Sequence, residues 1–263
     1  MERKIRLLIA YDGSDFCGWQ KQKDHAFAPK LPSLQETLEA ALSRVLNHPI
    51  EVCASGRTDA GVHALGQVAH FITHREQLPR DLCWALRAHL PPTVVVREAY
   101  WAPMEFHATL SAMGKTYRYF IWNSDRASPF WFRYSWWIRR PLDLERLQTL
   151  SQVLCGTHDF KSFQTQGTPV LHTVRTIYRI QWRRHGPQLC SVALTGDGFL
   201  KQMVRNIVGT VIDAFEDGAT PQDLRAILEA CDRRRAGQTA PPHGLFLQKV
   251  YYPKPLDNQC IKL

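Results

Sequence analysis

A short glycine-rich loop combines side chains that acid-base or nucleophilic chemistry requires. Residues 56–64 read GRTDAGVHA, with Arg57 two positions before Asp59. In an extended segment these two side chains point to the same side, where the guanidinium would hold the carboxylate ionised. The same residue types also form ordinary solvated turns. Spacing alone therefore marks Asp59 as a candidate and does not assign it a role.

Apolar runs on either side of this loop predict buried strands that would hold it rigidly. The first half of the chain follows the order strand, helix, strand, strand, helix, strand, which is the ferredoxin-like order. Its first helix opens on a capping box at Ser33 and its second helix opens at Pro79. The predicted strands span residues 4–11, 50–53, 67–72 and 94–101.

The second half repeats this order more loosely. We predict strands at 116–122, 173–182, 189–194 and 245–252, with helices at 143–154, 200–215 and 221–231. The chain is therefore predicted to be an α+β protein with two ferredoxin-like, RRM-like βαββαβ halves, residues 1–108 and 109–263. The halves would form one broad, mostly antiparallel sheet with helices packed on it and an active-site cleft between them. Asp59 would lie on the longest loop of the first half.

Charge and hydropathy narrow the classes of partner and location. The 33 Lys and Arg against 24 Asp and Glu give a net charge of +9, which favours a polyanionic partner such as nucleic acid or an anionic membrane surface. No apolar run approaches the roughly 20 residues that span a bilayer, and the N-terminus enters a strand pattern instead of a secretory signal. We therefore expect a soluble, cytoplasmic protein.

Neither a metal site nor a cofactor site is expected. The seven cysteines are odd in number, scattered and free of CxxC pairs, which argues against a disulfide framework and a structural zinc site. His70 and His74 have helical spacing but lie in a predicted strand, without the acid of a metalloprotease motif. No GxGxxG follows a strand and no GxxxxGK[ST] occurs, so no nucleotide cofactor is predicted.

Ordered blocks along nearly the whole chain resemble those of the tRNA pseudouridine synthase A (TruA) family. YDGSDFCGWQ at residues 11–20 precedes GRTDAGVHA. The later blocks follow in the family's order and are FHA at 106–108, KTYRY at 115–119, GTHDF at 156–160, GFLKQMVRNIVG at 198–209 and APPHGL at 240–245. Thr109 stands where the family usually has arginine after FHA, which puts one phosphate or ion-pair contact in doubt.

The resemblance implies isomerisation of uridine to pseudouridine at positions 38, 39 and 40 of the tRNA anticodon arm, by a homodimer. It makes Asp59 the catalytic nucleophile or base and places Arg205 against it in the active site. Tyr117 resembles the family's active-site tyrosine. Residue patterns alone favour a solvated position for Arg205 beside the apolar stripe of its helix, and they cannot separate Tyr117 from Tyr119, which shares its strand face.

Substrate binding is assigned to further residues on the same basis. The uridine must leave its stack to reach the carboxylate, and Arg57 would then fill the vacated space or hold a phosphate. Tyr117 would stack on the extruded uracil. Phe199 and Leu245 would wall the pocket, although plain core packing is the simpler account of each. His63, within the Asp59 motif, completes the set.

A catalytically silent, RRM-like RNA-binding module is the main alternative. The first half lacks the RNP aromatic pattern of such modules, and pure binding gives no reason to place Arg57 near Asp59. A nucleoside glycosidase would require a second carboxylate as general acid, and none is evident. The segment at 130–140 interleaves aromatic residues with arginine, and we predict sheet core or a subunit interface there in preference to a base-stacking surface.

Overall fold

The computed structural model describes residues 2–21, 31–75, 78–79, 81–165, 167 and 171–263. Strands and helices are interspersed along this part of the chain. The strands are β1 (Arg3–Tyr11), β2 (Cys53–Ala54), β3 (His63–Thr73), β4 (Val94–Ala102), β5 (Gly114–Asn123), β6 (Trp136–Ile138), β7 (Gly156–Asp159), β8 (Val174–Arg184), β9 (Leu189–Gly196), β10 (Leu245–Tyr251) and β11 (Ile261–Lys262). The α-helices are α1 (Leu34–Leu46), α2 (Leu82–Arg87), α3 (Leu144–Ser151), α4 (Met203–Glu216), α5 (Pro221–Glu229) and α6 (Lys254–Asn258).

The first of two compact units comprises Met1–Met113 and Leu247–Leu263. Its strands include the antiparallel order β11-β4-β1-β3, and the short β2 also pairs with β3. Together with α1 and α2 these strands give the predicted βαββαβ order. Leu7 on β1 lies opposite Ala69 and Ala99 and is fully buried, so β1 is a central strand of this core.

The second compact unit is Gly114–Phe246. Its strands follow the antiparallel order β5-β9-β8-β7, and β6 pairs with β5 in parallel. Helix α3 packs against β8 and α4. Each unit therefore combines helices with mostly antiparallel strands, which confirms the predicted α+β class. No helix in the described part of the chain is long and apolar enough to cross a membrane.

The division into units differs from the predicted halves, 1–108 and 109–263. The first unit continues to Met113, and the segment from Leu247 also belongs to it. Two observations place this segment in the first unit. Strand β11 pairs with β4, and the backbone at Gln248 lies so close to Gly66 that a Cβ added there would be 2.6 Å from the Gln248 carbonyl oxygen. Pairing between such distant residues has no signature in a local pattern, so the sequence did not reveal it.

Helix α1 begins at the predicted residue because its N-terminus is capped. The Glu36 N–H donates to Ser33 Oγ at 3.1 Å, and the Ser33 N–H donates to Glu36 Oε2 at 3.0 Å, which completes the predicted capping box. Asn47 ends the helix with a φ of 56°, a left-handed conformation that asparagine adopts more readily than most residues. Leu38 and Leu42 bury the apolar face of the helix.

Other boundaries shift from their predicted positions. Only Cys53 of the predicted strand at 50–53 lies in β2, whereas β3 already begins at His63, inside the GRTDAGVHA motif. Asp81 caps α2 in place of Pro79, since its Oδ1 accepts a bond from the Trp84 N–H at 2.9 Å. Helix α4 begins later than predicted because Gln202 has a φ of 58°, which a right-handed helix excludes.

Candidate active site

Backbone hydrogen bonds fix the Asp59 loop to the segment at residues 11–20. The Trp19 N–H donates to the Thr58 carbonyl oxygen at 3.0 Å, and Gly18 forms an isolated antiparallel bridge with Asp59. Within the loop, the Val62 N–H donates to the Asp59 carbonyl oxygen at 3.1 Å. The loop is therefore a fixed part of the first unit and differs from an ordinary solvated turn.

The same segment is joined to the start of α1. The Leu34 N–H donates to the Gly18 carbonyl oxygen at 3.1 Å, and the Gln35 N–H donates to the Trp19 carbonyl oxygen at 3.0 Å. The first N–H groups of a helix have no partner within the helix, so Gly18 and Trp19 satisfy two of them. A continuous series of hydrogen bonds therefore links α1 through residues 18–19 to the Asp59 loop.

Two glycines allow this segment to approach the loop closely. A Cβ added at Gly13 would lie 2.1 Å from the Val62 carbonyl oxygen, and one at Gly18 would lie 2.7 Å from that of Thr58. Gly18 also has a φ of +107°, which residues with a side chain rarely adopt. The blocks YDGSDFCGWQ and GRTDAGVHA therefore pack directly against each other, backbone to backbone.

Side chains alternate along the loop as extended backbone requires. Thr58 is buried, and its Oγ1 lies 2.8 Å from the Tyr11 hydroxyl oxygen. Burial raises the pKa of Tyr11 to about 12, so this hydroxyl stays protonated. Arg57 is exposed and Asp59 is half-buried, as expected for side chains that point away from Thr58. This pattern supports the predicted common side for Arg57 and Asp59.

His63 lies behind the loop and is fully buried. Its Nδ1 accepts a hydrogen bond from the Gly13 N–H at 3.1 Å and lies 3.1 Å from Asp12 Oδ1. The Asp12 carboxylate also accepts bonds from the N–H and hydroxyl of Ser14. These contacts favour a supporting role for His63 over contact with a substrate.

In the second unit, Tyr117 packs against Phe199. Tyr117 is buried, and its ring makes a T-shaped contact with Phe199, with centroids 5.2 Å apart and planes at 83°. Edge-to-face aromatic pairs of this kind stabilise a defined ring orientation. The structure thus brings together two residues that the sequence assigned to one pocket.

Tyr119, on the same face of β5, is a core residue. It is fully buried, and its hydroxyl donates to the Pro241 carbonyl oxygen at 2.8 Å. Burial raises the pKa of this hydroxyl. A Cβ added at Gly244 would lie 2.6 Å from Tyr119 Cζ, so the surrounding chain is closely packed. The structure therefore separates a structural Tyr119 from the candidate Tyr117.

Arg205 lies in the first turn of α4 and is held by Ala240. Its Nε donates to the Ala240 carbonyl oxygen at 2.7 Å, and the Ala240 N–H donates back to the Arg205 carbonyl oxygen at 3.1 Å. Further along α4, a Cβ added at Gly209 would lie 1.9 Å from the Gln238 carbonyl oxygen. The helix thus packs directly on backbone, and the bond at Nε fixes the plane of the guanidinium.

His243 and Leu245 follow in the APPHGL block. Leu245 is buried at the start of β10. Burial and the nearby charge of Arg205 lower the pKa of His243, so its imidazole is neutral at neutral pH. The sequence marked His243 only as a member of the block, and its proximity to Arg205 is a finding of the structure.

Comparisons with known proteins agree with these motifs. A family model described as tRNA pseudouridine synthase matches residues 7–109 and 150–253. The chain belongs to the tRNA pseudouridine synthase family. Both matched stretches contain predicted site residues: Arg57, Asp59 and His63 lie in the first, and Phe199, Arg205 and Leu245 lie in the second.

Relatives in this family align over nearly the whole chain. A tRNA pseudouridine synthase A of Bdellovibrio bacteriovorus is 53% identical over 100% of this chain and 100% of its own length. Proteins of the same name from Brevibacillus brevis and Maridesulfovibrio salexigens are each 42% identical over 95% of this chain, and over 100% and 90% of their own lengths. Tyr117 lies between the two stretches of the family model but within the alignment with the Bdellovibrio protein.

The departure from the family pattern at Thr109 has a local structural role. Its hydroxyl donates to the Ala54 carbonyl oxygen at 2.6 Å. Thr109 therefore bonds the backbone of β2.

The aromatic segment at residues 130–140 is largely exposed. Phe130, Phe132 and Trp137 have relative exposures of 85%, 63% and 46%, whereas Ile138 on β6 is buried. The prediction of sheet core is therefore wrong for these three aromatic residues. The alternative of a subunit interface stays a prediction.

One group of possible metal ligands occurs in the described part of the chain, at Cys53, His70 and His107, with ligand atoms within 4.8 Å of one another. The Nδ1 of His70 accepts a backbone N–H at 3.2 Å, and the Nδ1 of His107 accepts those of Thr109 and Leu110, both at 3.2 Å. A histidine that binds metal through Nε2 normally donates from Nδ1. The hydrogen bonds thus favour a packed polar group, and the absence of a metal site stays a prediction.

The buried His70 makes the stability of the protein depend on pH. Burial, with the nearby His107 and Lys4, lowers the pKa of His70 to about 4, from an ordinary value of about 6.5. Between these values only the unfolded chain takes up the proton, so stability falls as the pH drops through this range. For this one histidine we expect a loss on the order of 2 kcal/mol between neutral pH and pH 4.

Urea unfolding at a series of pH values measures this loss. His70→Asn is the comparison, because an asparagine Oδ1 can replace Nδ1 as acceptor and does not titrate. The variant should lose less stability on acidification than the wild type. Equally steep profiles for the two proteins would show that His70 is not the group responsible.

Proposed function

We propose that this protein isomerises uridine to pseudouridine at positions 38, 39 and 40 of tRNA anticodon arms, with Asp59 as catalytic nucleophile or base. The proposal rests on the position of Asp59. Its carboxylate is half-buried on a loop that backbone hydrogen bonds hold in place, within the motif that most resembles the family. The substrate supplies both fragments of the product, so the reaction requires no cofactor.

The reaction breaks the bond between N1 of uracil and C1′ of ribose, turns the base and joins C5 to C1′. Over the whole cycle one proton leaves C5 and one is gained at N1. Asp59 assists in one of three ways: attack at C1′, attack at C6, or removal of a proton from C2′ to give a glycal. Each requires the ionised carboxylate, because only that form is nucleophilic or basic.

Arg205 is proposed to stabilise negative charge at Asp59 during the reaction. A guanidinium favours the charged form of a carboxylate, and more strongly in a pocket from which water is excluded. The bond from Nε to Ala240 supports this role, because it fixes the direction in which the forked guanidinium makes its contacts.

The target uridine is proposed to be extruded from its stack, at a cost of a few kcal/mol. Arg57, exposed on the same loop as the carboxylate, then fills the vacated space or holds a phosphate. Tyr117 stacks on the uracil, and its hydroxyl is one group available to the C5 proton. Phe199 and Leu245 wall the pocket and exclude water, as their positions in the second unit allow.

The proposed partners are tRNA and a second copy of this chain. The net charge of +9 supports binding to the tRNA backbone. The exposed aromatic side chains of Phe130, Phe132 and Trp137, all within one segment of eight residues, support a homodimer, because large apolar side chains left in water favour burial against a partner. We propose the cytoplasm as the location.

Release of tritium from tRNA that carries 5-tritiated uridine tests this function, because C5 loses its hydrogen when pseudouridine forms. Three tRNAs, each labelled at position 38, 39 or 40 alone, resolve the proposed positions. We expect release from each of them. Binding of tRNA without release of label would favour the silent RNA-binding module. Release only from a label elsewhere in the tRNA would overturn the assignment to the anticodon arm.

A further inference from the structure

Lys115 shares the face of β5 that carries Tyr117, since residues two apart in a strand point to the same side. Lys115 lies opposite Gly196 on β9, and Tyr117 lies opposite Leu194. Opposed residues of antiparallel strands project to one face, and a Cβ added at Gly196 would lie 3.3 Å from Phe199 Cζ. The Phe199 ring therefore covers the position beside Lys115.

The lysine thus stands next to the aromatic wall that Tyr117 and Phe199 form. Its side chain is half-buried, and burial lowers the pKa of Lys115 to about 8. An amine of this kind is partly deprotonated near neutral pH, which suits a group that accepts a proton during catalysis.

We infer that Lys115 is the base that removes the C5 proton of uracil after C5 has been joined to C1′. The inference rests on the proposed function and deepens it. Its support is the position of Lys115 on the strand face that carries the ring against which the uracil is proposed to stack, opposite the glycine that Phe199 covers. An un-ionised phenol is a poor proton acceptor, so Lys115 takes this step and Tyr117 serves mainly through its ring.

The step balances without any further reactant. Once C5 is bonded to C1′, it is tetrahedral and still carries one hydrogen, and the ring has a C6=N1 double bond. The Lys115 amine takes the C5 proton, and the electron pair of that bond forms C5=C6. The electrons of C6=N1 move to N1, which takes up a proton. Lys115 returns its proton to the solvent or to N1.

Two substitutions test the assignment, Lys115→Ala and Lys115→Arg. We expect both variants to release tritium from 5-tritiated tRNA about 10²–10⁴-fold more slowly than the wild type, with tRNA affinity little changed. Lys161→Ala is the matched control, because Lys161 is exposed. Arginine keeps the positive charge but does not lose its proton. Normal release by Lys115→Arg would therefore overturn a role as base, and so would near-normal release by Lys115→Ala.

Two further measurements separate lost proton transfer from a structural defect. In Lys115→Ala, cleavage of the C5–H bond becomes the slow step, so 5-deuterated tRNA should react more slowly than ordinary tRNA. Added methylamine should restore part of the rate. A slow variant with neither property would overturn the proposal. Should Lys115→Ala fail to fold, Lys115→Gln keeps most of the stem and serves in the same measurements.

The outcomes for the two proposals are distinct. A wild-type protein that releases no tritium would overturn the proposed function, and the assignment of Lys115 would fall with it. An active wild type with equally active Lys115 variants would overturn the assignment of Lys115 alone.

Discussion

Asp59→Asn is expected to lower tritium release by about 10⁴-fold or more while tRNA remains bound. Asparagine has nearly the shape of aspartate but cannot ionise, so it can neither attack the nucleotide nor accept a proton from it. The loop should keep its conformation, because the bonds from Trp19 to Thr58 and from Val62 to Asp59 use only main-chain atoms. The loss therefore belongs to the chemical step.

Single-turnover release of tritium and filter binding of tRNA measure the two quantities separately. Asp125→Asn is the matched control, since its side chain is 78% exposed on the second unit. We expect this control to behave as the wild type in both assays. Release by Asp59→Asn within tenfold of the wild type would remove the carboxylate from its proposed role.

Arg205→Lys is expected to lower the single-turnover rate by about 10²-fold or more. Lysine keeps the charge but has no Nε–H, so the Ala240 carbonyl oxygen loses the donor that lies 2.7 Å away in the wild type. A point charge on a flexible stem also cannot make the forked contacts of a planar guanidinium. Affinity for tRNA should change much less than the rate, because the net charge is the same.

Arg225→Lys provides the control for this substitution, because Arg225 is exposed on α5. The same single-turnover and binding assays apply to both variants. A rate for Arg205→Lys equal to that of Arg225→Lys would mean that charge alone suffices at this position. Weakened binding with an unchanged rate would assign Arg205 to tRNA recognition instead of the chemical step.

Local signals in the sequence predicted most of the fold. The capping box at Ser33 located the start of α1, and apolar alternation located β1 and β4 to within a few residues. The sequence did not predict β6, β7 or β11, which have three, four and two residues. Strands this short show no period of their own and exist because a neighbouring strand pairs with them.

Local sequence patterns were also insufficient to assign side chains to the candidate site. Alternation placed Tyr117 and Tyr119 on one face of β5 but could not separate them. The contact that does so, from Tyr119 to Pro241, joins residues 122 positions apart. The placement of Arg205 likewise depends on Ala240. Motif resemblance selected Tyr117 and Arg205, whereas the contacts that distinguish Tyr119 and hold Arg205 are long-range and have no local signature in the sequence.

The link between α1 and the Asp59 loop has a consequence for heat resistance. Because the amides of Leu34 and Gln35 hold residues 18–19, and Trp19 in turn holds Thr58, fraying at this one helix end would loosen the loop. Such local melting requires less free energy than unfolding of the whole unit. The upper temperature for turnover would then depend on the first turn of α1, although Asp59 itself is not part of that helix.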